Sequence, residues 1–401
     1  MTKQIKLSSA EVQLKGFLEA AGKNEAASQF AEVGLPTRRI EAYHYTDVKS
    51  LLREVPSALA KANDDKDAVR SEFAGAARIE LANGKLSGDF GVDGVSISTS
   101  ANDARDDDSV VLLSEALVGD VVSIKIEGNV STVLHIDRVI DGAASINADK
   151  VVVEVAAGAK ATLVETFNAS DAAHMRLATT DIKLGDGAEF VHLQLDGNST
   201  DTRHFATNRY ELGGDVQLRT FVQHTYASLS RTVVNANFAG EGSHADFAGM
   251  NLLAENQHAD ITLVVDHAVP NTTSTESFKN VVIDRAKAIF QGRINVAQDA
   301  QKTDAQMMSQ GLILSERGEI LVKPELEIFA DDVICAHGAT CGELDENHLF
   351  YLMSRGIPRK EAKAMLIRAF LAEMFEPIEV EAVVGSLEAQ VDLWLHKRDE
   401  A

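Results

Sequence analysis

The sequence predicts a mainly β protein, a β-solenoid core set between a helical region at the N-terminus and a helical domain at the C-terminus. Three observations predict it. From about residue 109, short β-rich runs follow one another with small turns and no amphipathic helix between them: VVSIKIEG, VSTVLHIDRV, KVVVEVAAG, ATLVETF, AEFVHLQLDG, VQLRTFVQH, ITLVVDH and NVVIDR. Four such runs open on a small turn residue, at Gly158, Gly187, Gly214 and Gly242, a spacing of 29, 27 and 28 residues. A strand-rich period in the high twenties is that of one solenoid coil, each coil stacking on the last to bury a shared interior. A sandwich would repeat its turn signals every ~8–12 residues with no longer period. Third, helical spacing brackets this stretch on both sides.

The N-terminal region, residues 1–62, carries Val12, Phe17, Leu18 and Ala21 near a 3.6-residue period, and Phe30 and Val33 continue it after a break. Gly34-Leu35-Pro36 ends that helix. In the following PTRRIEAYHYTDVKSLL, the cluster Tyr43-His44-Tyr45 reads as a packing anchor and Thr46 as the N-cap of a short helix. Residues 63–108, ending in the acidic NDARDDD, read as a connector with a strand or two. The core spans 109–342. Within it, Val216, Leu218, Thr220 and Val222 of VQLRTFVQH share one strand face. In the C-terminal domain, 343–401, a helix starts near Asp345 with Leu349 and Leu352 on one face and stops at Gly356. Pro358 takes the first position of a second helix, striped by Ala362, Leu366, Ala369 and Phe370. A last amphipathic segment carries Leu387, Val391 and Trp394.

Composition narrows the function. Lys and Arg number 38 against 61 Asp and Glu, a net charge of −23, which excludes nucleic acid or an anionic membrane as main partner, since both need a basic face. No stretch reaches the ~18 apolar residues of a membrane helix, and the opening residues lack a secretory h-region. Two cysteines cannot form a disulfide framework; a reducing cytoplasm is the expected setting.

Both cysteines fall in ICAHGATCGELDEN, residues 334–347. Cys335 and His337 stand two apart at the end of a strand-like run, so both point to one face, where thiolate and imidazole suit zinc, copper or iron–sulfur chemistry. Cys341, after an expected Gly338-Ala339-Thr340 turn, is a third candidate ligand. The same residues also fit two small buried hydrophobes beside a hydrogen-bonded histidine. No G-x-S-x-G, P-loop, H-E-x-x-H or G-x-G-x-x-G occurs, and Asp331 and Asp332, adjacent on a strand, face opposite ways. Two readings stay open beside cluster chemistry: a solenoid lyase or hydrolase of acidic polysaccharide, and a zinc-binding structural protein using Cys335, His337 and Cys341. The first wants a groove of aromatics and basic residues, and aromatics are only 5%.

The segment 288–357 closely resembles the SufB/SufD family of iron–sulfur cluster assembly proteins. F-x-G-x-I-x-V at 290–296, Q-x-T-D-A at 301–305, K-P-x-L-E-I at 323–328, A-D-D-V at 330–333, H-G-A-T at 337–340 and L-F-Y-L-x-S-R-G-I at 349–357 stand in the family's order. The N-terminal R-x-x-E-x-Y-x-Y-T resembles that family's entry motif, with Tyr43 in the place of a common Trp. H-G-A-T, where SufB-type members read H-E-A-T, and a cysteine two before the histidine are SufD-like. The resemblance implies a right-handed parallel β-helix and a non-catalytic scaffold. It implies pairing with SufB through the end of the β-helix, with homodimerisation possible alone, and binding of the SufC ATPase by the C-terminal helices, expected at Leu349, Leu366 and Phe370. It implies that His337, with Cys335 beside it, contributes to a transient iron–sulfur cluster shared with SufB. Cys341 departs from the family pattern and is expected to pack. A reduced flavin is associated with the family's complex, and this chain carries no flavin fingerprint.

Overall fold

Beyond the first coil, a strand of this protein pairs not with the next strand but with the next but one, and that rule builds the core of the fold. The computed structural model describes residues 6–61, 66–88, 91–102, 108–197 and 200–397; most of the acidic run at 102–108 lies outside the described residues. The strands are β1 (Ala77–Ala82), β2 (Lys85–Ser87), β3 (Val95–Ala101), β4 (Asp120–Ile126), β5 (Leu134–Ile140), β6 (Ile146–Val155) and β7 (Lys160–Ala169). There follow β8 (Met175–Leu184), β9 (Glu189–Asp196), β10 (Arg203–Leu212), β11 (Gln217–His224), β12 (Leu229–Phe238) and β13 (His244–Leu253). The last are β14 (His258–His267), β15 (Thr273–Val282), β16 (Lys287–Val296), β17 (Asp304–Ile313), β18 (Glu319–Ile328) and β19 (Ile334–Gly342). From β4 onward, even-numbered strands form one parallel sheet ending at β18, and odd-numbered strands form the other, ending at β19. The result is a β-solenoid of about 8 turns.

Every second side chain points into the lumen, where Ile124, Leu163, Phe190, Leu218, Phe247, Phe290 and their neighbours make one continuous apolar core. One corner of each coil needs a left-handed residue two positions before the next strand. Gly158, Gly187, Asp215, Gly242, Asn271 and Lys302 take it, with φ between 54° and 77°. The third member is Asp215, one residue beyond the expected Gly214. In VQLRTFVQH the predicted face is inward, yet Phe221 and Gln223 on the opposite face are buried too, because C-terminal helices lie over them.

The helices are α1 (Ser9–Ala20), α2 (Asn24–Val33), α3 (Val48–Leu51), α4 (Ser109–Leu117), α5 (Glu346–Ser354), α6 (Arg359–Ala372) and α7 (Glu381–Lys397). Leu14, Leu18 and Phe30 of α1 and α2 pack with α4 against Met175, Leu177 and Phe205 on the outer face of the even sheet. Ile367, Leu371, Val391 and Trp394 of α6 and α7 cover Leu193, Phe221 and Leu252 on the outer face of the odd sheet. Among the described residues no helix is long and apolar enough to cross a membrane.

Several local expectations change. The stretch 63–108 supplies three strands: β1 joins β5 in parallel, while β2 and β3 run antiparallel to β1 and β4 and finish the first coil. Residue 109 opens a helix, α4, capped by Asp108; eight of its nine residues are buried, so it has no polar face to betray it. Asp47 rather than Thr46 caps α3, and Pro358 is the N-cap of α6 rather than its first residue.

Candidate functional site at the open end of the solenoid

β18 pairs only with β16, and β19 only with β17; their far edges have no strand partner among the described residues. The solenoid therefore ends in two exposed backbone edges, and β19 carries both cysteines. The expected turn at Gly338-Ala339-Thr340 is absent: β19 runs unbroken from Ile334 to Gly342. Gly338 sits within the strand, where a Cβ would lie 2.6 Å from Cε of the exposed, flexible Met308 side chain.

Register fixes what β19 presents. Ala305 opposes Cys335, Met307 opposes His337 and Gly311 opposes Cys341. Ala305 and Met307 are core residues, so by alternation Cys335, His337, Ala339 and Cys341 all face the lumen side of the last coil. Cys335 is half-buried and packs on the core; His337 and Cys341 are exposed, because no further coil covers them. Burial pushes the Cys335 thiol up, aided by the charges of Asp304 and Glu276, against a lowering hydrogen bond from the Ala305 backbone. Burial also pushes Cys341 up. Both thiols are therefore protonated and quiet at neutral pH in the isolated chain.

The three candidate ligands do not meet. Residues six apart on a strand are separated by about 20 Å, and among the described residues no group of three or more His, Cys, Asp or Glu could hold a metal. Asp331 and Asp332 are exposed, and Asp332 is taken up by Lys302, which it pairs with through both side chain and backbone.

The predicted stripe of α6 is only partly inward: Ala362 is buried and Ala369 exposed, and the core face is completed by Ile367 and Leu371. Leu349 is buried, Leu366 is half-buried, and Phe370 packs on the outer-face core with the Lys279 ammonium 4.6 Å over its ring. The surface of α5 and α6 is apolar elsewhere, at Phe350 (73% exposed), Tyr351, Met353 and Met365. The 3.6 period identifies an apolar face but not which of two apolar faces the core takes.

Composition also hid a polar file inside the lumen. Arg138, fully buried, pairs with Asp149 and Glu165, and burial of that carboxylate is outweighed by Arg138, which holds it well below the usual range. Farther along, His224 binds Asn251 at 3.0 Å and Asn251 binds Asn280 at 2.8 Å. Glu276, in register with Met307, is buried with no hydrogen-bond partner at either oxygen, and burial pushes it up to about 8. Polar residues at inward positions of alternating strands were the available signal.

Comparison with known proteins fits this geometry. Residues 138–370 match the family described as SUF system FeS cluster assembly, SufBD core domain, which is more than half of the chain. The chain belongs to the SufB/SufD family. Its likeness to the iron-sulfur cluster assembly protein SufD of Escherichia coli is 29% identity over 384 residues, 90% of each chain. A SufBD family protein of Synechocystis is 34% identical over 210 residues, 52% of this chain and 46% of that one. SufD of Bacillus subtilis is 26% identical over 232 residues, 57% of this chain and 52% of that one. Within the SufB/SufD family this chain is thus SufD-like, and the matched region runs from the buried Arg138 through the whole open end to Phe370.

Proposed function

We propose that this protein is a non-catalytic scaffold subunit of iron–sulfur cluster assembly, pairing with a SufB-type chain at the β18–β19 end and building the cluster, its cargo, between them. One observation carries the reading: His337 and Cys335 share the inward face of the terminal strand, whose far edge is unpaired. An exposed parallel edge is a template for another strand, and natural proteins normally blunt one that has no use. A second chain continuing the two sheets would cover His337 and bring its own ligands opposite. One imidazole and one thiol cannot hold a cluster alone, which suits a site that must release its product.

The exposed Phe350, Tyr351, Met353 and Met365 of α5 and α6 are the surface we assign to a SufC-type ATPase, replacing the less exposed Leu349, Leu366 and Phe370. No residue is assigned to flavin, because the chain has no glycine-rich phosphate-cradling turn ahead of a helix. Co-expression with SufB- and SufC-type chains, followed by size-exclusion chromatography, tests the assembly; absence of a common complex refutes it. Within the complex, His337→Ala should leave assembly intact and abolish bound iron and sulfide. Unchanged iron and sulfide would remove His337 from the role.

A further inference from the structure

The Tyr43-His44-Tyr45 cluster has a use that packing alone does not describe. Residues 41–46 lie across the outer face of the last four strands of the even sheet, and each strand gives them a side chain. From β12, Arg231 donates to the Ala42 carbonyl at 2.9 Å and stacks 4.2 Å over the Tyr43 ring. From β14, Asp260 accepts from the Thr46 hydroxyl, and His258 Nε2 lies 3.0 Å from the same oxygen. From β16, Gln291 donates to Ala42 at 3.3 Å, and from β18, Lys323 pairs with Glu41. The Tyr43 hydroxyl donates to Asp108, which caps α4, at 2.7 Å, tying the segment back to the N-terminal helices.

The grip is strongest deep in the fold and reaches outward. Arg231 and Asp260 are buried and paired with each other, and Tyr43 and Thr46 are buried with them. β18 has the opposite character: none of its ten residues is buried and it has one strand neighbour, β16. An edge strand so lightly held depends on whatever else touches it.

We propose that residues 41–46 are a strap that sets the position of β18, so that the N-terminal helices control the edge offered to a partner. The effect on a partner rests on the assembly reading given above; the effect on β18 does not. The Glu41–Lys323 pair is exposed on the Glu41 side, so its effect is modest, about fivefold in local opening. The deeper anchor at Thr46 is expected to contribute at least as much, since its loss takes a hydrogen-bond partner from buried His258 and one donor from buried Asp260, which keeps Arg231.

Hydrogen exchange on the full chain tests this. Glu41→Ala and Thr46→Val should each speed exchange of amides 319–328 by about fivefold while those of 175–184 keep their wild-type rates. Glu41→Lys should do the same, and the double reversal Glu41→Lys/Lys323→Glu should restore protection. Unchanged exchange at 319–328, or equal acceleration in both strands, would overturn the strap. The second measurement is capture of a SufB-type chain by the same variants, compared with wild type. Weaker capture that recovers in the double reversal supports control of the edge. Wild-type capture despite lost protection would overturn that control while leaving the pairing itself intact, whereas no capture even by wild type would count against the assembly reading and not against the strap.

Discussion

Lys279 reaches from β15 to the end of α6, donating to the Phe370 carbonyl at 2.5 Å and lying 4.6 Å over the Phe370 ring. A cation at a helix C-terminus meets carbonyls that have no partner within the helix, and a buried ammonium over an aromatic face adds to that attraction. Lys279→Met should therefore loosen the C-terminal domain, costing about 2 kcal/mol. Proteolysis should then cut first near 355–358, before α6, with the solenoid still intact.

The two cysteines should part company. Cys335 packs on the core beside His337's face, while Cys341 sits four residues beyond His337, near the far end of β19. In a purified complex, Cys335→Ser should lower cluster content and Cys341→Ser should leave it within error, both read as iron and acid-labile sulfide per complex.

Acid should weaken the fold well above the ordinary carboxylate range. Burial holds His135, His174, His224, His258 and His267 at about 4, below the ordinary 6.5. Between pH 6.5 and 4 the unfolded chain therefore binds more protons than the native one, so stability falls as pH falls through that window. Thermal melts should show the midpoint dropping from pH 6.5 downward, and His267→Gln, which removes one such proton uptake, should make the slope shallower.

Glu276 works in the other direction. Its carboxyl ordinarily titrates near 4.5 and is raised to about 8 in the fold, so the native state keeps a proton that the unfolded chain gives up. Stability from this group is complete below 4.5 and is lost as pH rises toward 8. Glu276→Gln should change the melting point little at pH 5 and raise it relative to wild type at pH 8.

Arg138 should be the costliest residue of the lumen to remove alone. Arg138→Met leaves Asp149 and Glu165 as unpaired buried carboxylates, for a loss of about 3–5 kcal/mol in chemical denaturation. Adding Asp149→Asn and Glu165→Gln should recover much of it, because the penalty lies in the abandoned charges.

The solenoid was legible where the corner geometry favours glycine and glycine fills it. Gly158, Gly187 and Gly242 take a left-handed conformation that few residues tolerate, so their spacing survives in the sequence. Where Asn271 and Lys302 fill the same corner, the period vanishes from view although the coil continues. The shared face of Cys335 and His337 followed from strand alternation. The length of that strand did not, because Gly338 imitates a turn while lying within the strand. Nor could the strap be read, since Tyr43 and Thr46 meet Arg231 and Asp260 only after some 190 to 210 residues of chain have coiled back.

The two ends of the solenoid are not equivalent. At the first coil β2 and β3 run against the grain of their sheets, so a parallel strand cannot simply be added there. At the last coil nothing interrupts the direction. A stack that can be extended by parallel pairing from one end only has a built-in limit: on the assembly reading proposed above, a partner seated on that end leaves no live end from which a filament could continue.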